Sequence, residues 1–185
     1  MPRRRDRSDM SADHLVLVGL MGSGKSSVGR RVADALGRPF VDTDQRVERR
    51  EGRTIRDIFA TDGEAVFRDI ESSVLVDVLS STEPAVIATG GGIVTRSDNR
   101  DLLAEGRDSG VHVVWLRATV DTLAARLAAG ASRRPLLDGD VRGRLTELDE
   151  RRRDLYGAVA SEVVDVDDRT LDDVVSAVLA ATESR

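Results

Sequence analysis

The sequence predicts a three-layer α/β/α fold, with a five-stranded parallel sheet between helices. Five short apolar runs recur along the chain, at 14–18, 39–41, 85–88, 112–116 and 163–166. Several are continuously apolar rather than alternating, as in strands covered on both faces. Between them lie longer stretches with helical periodicity, at 25–36, 63–80, 97–105, 119–129, 141–160 and 171–182. Strands that alternate with helices need crossover connections, and crossovers give a parallel sheet with helices on both faces. The length of 185 residues fits one domain. That domain is expected over residues 13–185, after a polar, aperiodic tail at 1–12 with a basic cluster at Arg3, Arg4, Arg5 and Arg7. Two stretches interrupt the alternation. Residues 43–61 are charged with short helical patterns, and residues 130–140 (GASRRPLLDGD) hold Gly, Pro and paired Arg. Both are expected to be pieces mounted on the core.

Composition excludes several kinds of function. The formal net charge is −5, whereas proteins that track nucleic-acid phosphates are usually basic. The chain has no Cys, so disulfides, thiolate catalysis and Cys-ligated zinc are ruled out. Its two histidines, His14 and His112, are too few for a His-rich metal site. No apolar run approaches the ~20 residues that span a bilayer. The charged N-terminus is followed by no apolar stretch of the kind found in a signal peptide. The expectation is a cytoplasmic monomer that binds neither nucleic acid nor membrane. Aromatic residues make up 3% of the chain, so the core must be aliphatic.

Lys25 is the only lysine among 28 basic residues. A compact ammonium on a flexible stem does what a planar guanidinium does not. It falls within GLMGSGKS (19–26), which fits G-x-x-x-x-G-K-[ST] at every fixed position. The match follows the apolar run LVLV and opens a helical stretch, the context that this phosphate loop requires. Backbone N–H groups of Gly22, Ser23, Gly24, Lys25, Ser26 and Ser27 are expected to wrap the phosphates of a nucleoside triphosphate, aided by the helix N-terminus. Lys25 reaches the β- and γ-phosphates, and the Ser26 hydroxyl is placed to ligate Mg²⁺. Asp42 and Asp44 stand at the C-terminal end of the second strand, the edge where open α/β sheets bind ligands. A spacing of two on an extended segment would point both carboxylates to one side. The alternative is that they form a solvated strand end or cap the next helix.

The phosphate loop, VDTD (41–44), FR (67–68), TGGG (89–92), RRPLL (133–137) and RRRDLY (151–156) form an ordered set. That set resembles the shikimate kinase family from about residue 14 to 182. The resemblance implies a fold like that of the nucleoside-monophosphate kinases, with a substrate-binding segment at about 43–71 and a lid at about 129–141. It implies transfer of the ATP γ-phosphate to the 3-hydroxyl of shikimate, with Mg²⁺. By resemblance, Asp44 holds the shikimate hydroxyls and Asp42 lies towards the metal. Either carboxylate can assist proton removal, with Asp44 ahead. Arg68 and Arg152 clamp the shikimate carboxylate, as a guanidinium can do bidentately. Gly91 contacts shikimate, and Thr89 and Gly90 lie near metal and phosphates. Arg134 of the lid meets the transferring phosphoryl group, with Arg133 as its neighbouring decoy. Arg169, with Arg126, resembles adenine-contacting positions. Trp115 reads as core, and Glu147, Asp149 and Glu150 read as a solvated helical face. A gluconate kinase, a nucleoside-monophosphate kinase and a non-catalytic ATP-binding module are the competing readings.

Overall fold

The computed structural model describes residues 13–129 and 140–183. The tail at 1–12 lies outside the described residues, as does most of the expected lid, including Arg133 and Arg134. The strands are β1 (Leu15–Val18), β2 (Phe40–Asp42), β3 (Val86–Ala88), β4 (His112–Arg117) and β5 (Glu162–Asp165). They form one parallel sheet in the order β2-β3-β1-β4-β5. All four residues of central β1 are buried, which explains its unbroken apolar run. Edge strand β5 buries Val164 and leaves its other residues exposed.

The helices are α1 (Lys25–Leu36), α2 (Thr43–Glu51), α3 (Ile55–Thr61), α4 (Gly63–Leu79), α5 (Ser97–Gly106), α6 (Val120–Ala129), α7 (Val141–Val159) and α8 (Leu171–Glu183). Local chemistry sets their starts. Asp42 caps α2, Thr54 and Asp57 form a reciprocal capping box on α3, and Asp140 accepts from Gly143 N at the head of α7. The charged stretch 43–61 therefore folds as two short helices, α2 and α3.

Trp115 is core, 7% exposed, and stacks on Tyr156 with ring centroids 5.7 Å apart. The solvated-face reading of Asp149 needs correction. This carboxylate is largely buried and is bound by Arg153 Nε at 3.0 Å. No helix among the described residues is long and apolar enough to cross a membrane.

The register decides where chemistry can occur. Leu17 of β1 and Asp42 of β2 both lie level with Ala88 of β3. The segments that follow, from Gly19, Thr43 and Thr89, thus leave the same sheet edge side by side.

Candidate active site

At that edge opens a cleft of about 640 Å³, lined by residues 21–28, Asp42, Asp44, Thr89, Gly91, Arg126 and Arg169, among others. The phosphate loop forms one wall. Gly24 precedes α1 in the left-handed region at φ 99°, where a side chain would be strained. This turns the first N–H groups of α1 towards the cleft. Lys25 is 8% exposed. Its ammonium donates to the carbonyls of Gly19 at 2.7 Å and Leu20 at 2.9 Å. Ser23 is buried in the loop, and Ser26 and Ser27 are exposed at its rim.

Asp42 serves two neighbours. Its Oδ1 accepts from the backbone of Asp44 at 3.1 Å and of Gln45 at 3.3 Å, and its Oδ2 accepts from Ser26 Oγ at 2.8 Å. The cap and the site are one carboxylate. The pleat argument for Asp44 fails, because the strand ends at Asp42 and Asp44 lies in the first turn of α2. Both aspartates still line the cleft, brought there by the cap rather than by strand alternation. Burial pushes the Asp44 carboxyl up to about 6, helped by the charges of Asp42 and Glu71 and opposed by Lys25.

The opposite wall is the glycine turn after β3. Gly90 N donates to the buried Thr43 Oγ1 at 3.2 Å, tying the turn to α2. A β-carbon on Gly90 would sit 2.6 Å from both Asp44 Oδ1 and Glu71 Oε1. A β-carbon on Gly92 would overlap the Arg68 guanidinium. These glycines admit charged side chains against the backbone. Gly90→Ala should therefore displace a carboxylate. The expected result is a loss of about 1–3 kcal/mol in stability and at least tenfold in acceptor kcat/KM. Thermal melts and steady-state kinetics check this.

Arg68 and Arg152 do not line the cleft itself; they stand against the glycine turn. Arg68 pairs with the fully buried Glu71 at 2.7 Å and with exposed Glu64 at 3.1 Å. Arg152 donates to the Gly91 carbonyl at 2.9 Å and forms no ion pair among the described residues. Its charge also reaches Glu71. Burial raises the Glu71 pKa against the pull of Arg68, and its Oε1 is buried without a hydrogen-bond partner. Arg169 lines the same cleft as the phosphate loop. Arg126 joins Ser23 O at 3.3 Å to Val166 O at 3.0 Å, bridging the phosphate loop and the segment after β5.

Thr43, the pairing of Glu71 with Arg68, and the Tyr156 hydroxyl escaped the sequence reading. For Glu71 a signal existed, since Glu64, Arg68 and Glu71 follow an i, i+4, i+7 spacing along α4. Thr43 and Tyr156 lie in the VDTD and RRRDLY motifs, but the glycines they bind are distant in sequence and neither motif marks those contacts. The assembled cleft combines an anion cradle, a metal-suited pair of oxygens, a carboxyl that burial pushes up to about 6 and guanidinium groups behind a glycine turn. Such a set suits phosphoryl transfer from a nucleotide to a hydroxyl of an anionic acceptor.

A sequence profile for a family described as shikimate kinase matches residues 21–183. A shikimate kinase of Symbiobacterium thermophilum is 47% identical over 174 residues, covering 93% of this chain and 97% of that protein. Among solved structures, shikimate kinase from Acinetobacter baumannii in complex with shikimate superposes with a TM-score of 0.84 and 33% identity. It covers 96% of this chain and 97% of its own. A gluconokinase from Sinorhizobium meliloti is less similar, with a TM-score of 0.60 and 26% identity over 96% of this chain and 94% of its own.

Proposed function

The chain belongs to the shikimate kinase family, and from that premise we propose how its own residues carry out the reaction. The reaction is ATP-dependent phosphorylation of the 3-hydroxyl of shikimate, giving shikimate 3-phosphate and ADP in aromatic amino-acid biosynthesis. Backbone N–H groups from Gly22 to Ser27 hold the phosphates, and Lys25 balances the charge that builds on the β- and γ-oxygens. Arg169 lies beside the adenine. Asp44 orients the 3-hydroxyl and accepts its proton as the oxygen bonds to the γ-phosphorus and the bond to ADP breaks. A carboxyl pushed up to about 6 is a better base near neutral pH than an ordinary aspartate. Arg134, outside the described residues, is assigned to the transferring phosphoryl group on the resemblance alone.

Ser26 Oγ and Asp42 Oδ2 are hard oxygens 2.8 Å apart at the phosphate loop, which fits Mg²⁺. Among the described residues no group of three or more acidic or imidazole side chains is placed to cage a metal. An ion held by Ser26 and Asp42 would complete its shell with phosphate oxygens and water. When bound, it supplies positive charge to the β- and γ-phosphates.

The acceptor's carboxylate is read by Arg152 together with Arg68. Of these two, Arg152 has no carboxylate ion-pair partner among the described residues, its guanidinium being bound to the Gly91 carbonyl. Glu64, the exposed partner of Arg68, can yield to a better-placed anion. The observation that carries this reading is the meeting of Asp44, Arg68 and Arg152 on one glycine turn facing the phosphate loop. A monomer working in the cytoplasm on ATP and shikimate, with neither nucleic acid nor membrane as partner, completes the proposal. ADP release with ATP–Mg²⁺ should be fast with shikimate, weaker with quinate and near background with gluconate, AMP and CMP. A rate with gluconate or AMP matching that with shikimate refutes the assignment.

A further inference from the structure

We propose that Tyr156 is a positioning residue for acceptor binding: its hydroxyl holds the Gly91 carbonyl, so that Arg152 can leave that carbonyl for the acceptor's carboxylate. This rests on the role given to Arg152 above. The Gly91 carbonyl accepts from both Arg152 Nη1, at 2.9 Å, and the Tyr156 hydroxyl. The two donors lie four residues apart on α7 and so share one face of the helix. A carbonyl oxygen has two lone pairs, and these two donors fill them.

Binding a carboxylate requires Arg152 to redirect N–H groups. Removing the only donor from a partly buried carbonyl leaves it unpaired, which opposes the move. With Tyr156 present, the carbonyl keeps one donor throughout. The ring is fixed for this task, 1% exposed and stacked on Trp115. Burial also raises the hydroxyl's pKa, so the group stays a donor across the working range. The same hydrogen bond fixes the Gly91 peptide, whose glycine lines the cleft where the acceptor sits.

The test measures acceptor KM at saturating ATP for wild type, Tyr156→Phe, Arg152→Ala and the double variant. Phenylalanine keeps the stacked ring, and circular dichroism with thermal melts checks the fold. Tyr156→Phe is expected to raise the shikimate KM about tenfold, with the ATP KM unchanged and kcat lowered less than KM is raised. In the Arg152→Ala background, the same substitution should change the shikimate KM by less than about twofold, because no arginine remains to be released. No effect in the wild-type background overturns the proposal, as does an equal effect in both backgrounds, which would mean packing alone. An unchanged shikimate KM in Arg152→Ala by itself contradicts the carboxylate reading instead.

A second measurement needs no variant. Tyr156 is the chain's only tyrosine, so its hydroxyl proton can be assigned directly by NMR. That resonance should shift when shikimate is added and stay still with shikimate methyl ester. An unmoved resonance with both ligands, or an equal shift with both, overturns the proposal.

Discussion

Lys25→Met is expected to abolish phosphoryl transfer, lowering kcat by about 10³-fold or more, while the protein stays folded. The ammonium lies 8% exposed inside the loop, between the carbonyls of Gly19 and Leu20. It is thus already desolvated where the phosphates would sit, and there a fixed positive charge acts strongly. Lys25→Arg should be nearly as damaging. A planar guanidinium is wider than the ammonium and cannot turn its charge from two loop carbonyls to phosphate oxygens in the same space. Single-turnover phosphoryl transfer with ATP–Mg²⁺ measures this. Near wild-type turnover in the arginine variant would show that the chain's single lysine has no special task.

Asp44→Asn should lose about 10²–10⁴-fold in kcat and keep ATP affinity, because an amide nearly preserves size but takes no proton. The same substitution should stabilise the metal-free protein, and the sign follows from the pKa. The Asp44 carboxyl is raised from 3.8 to about 6 on folding, so the folded state binds its proton more tightly than the unfolded state. Stability then falls as pH rises from 3.8 to about 6, and the whole cost remains above that. Discounted for solvent screening, the gain in Asp44→Asn is about 1–2 kcal/mol at pH 8 and vanishes near pH 4. Denaturant unfolding in EDTA at both pH values checks it. Burial beside two other carboxylates, Asp42 and Glu71, is the physical cause of both effects. The charge is costly where it stands, and under the proposed mechanism the same raised pKa makes Asp44 the better base. Equal stability of both proteins at pH 8, or wild-type single-turnover rates, would remove Asp44 from this role.

Much of the fold was legible because strands buried on both faces leave unbroken apolar runs. The run at 14–18 became β1, and the run at 112–116 became β4 (His112–Arg117), each within a residue or two. The phosphate loop was legible because its glycines and lysine are contiguous, with one strand before and one helix after. The acceptor side was harder to read. Asp44 lines the cleft, but not by the strand alternation that its spacing from Asp42 predicts. The Asp42 side chain captures the N–H groups of Asp44 and Gln45 and starts a helix where the pleat was expected to continue. Arg68 and Arg152 are two among 27 arginines, and only the family resemblance selected them. Their surroundings arise from contacts between distant segments. Gly91, with Arg152 and Tyr156 both bound to its carbonyl, lies 61 and 65 residues from them, and no local pattern records such a meeting. Asp149 looked like one more charge on an acidic and basic stretch, but α7 turns it inward against Arg153.

The central claim is that guanidinium groups behind the glycine turn read the acceptor's carboxylate. Shikimate methyl ester tests it most directly, because it keeps every ring hydroxyl and loses only the charge. In wild type, kcat/KM for the ester should be about 100-fold below that for shikimate, the scale of losing one partner of a buried charge pair. In Arg68→Ala and Arg152→Ala the gap should narrow to a few-fold, with the ATP KM nearly unchanged. Phosphorylation of the ester by wild type as efficiently as the acid would contradict the carboxylate reading.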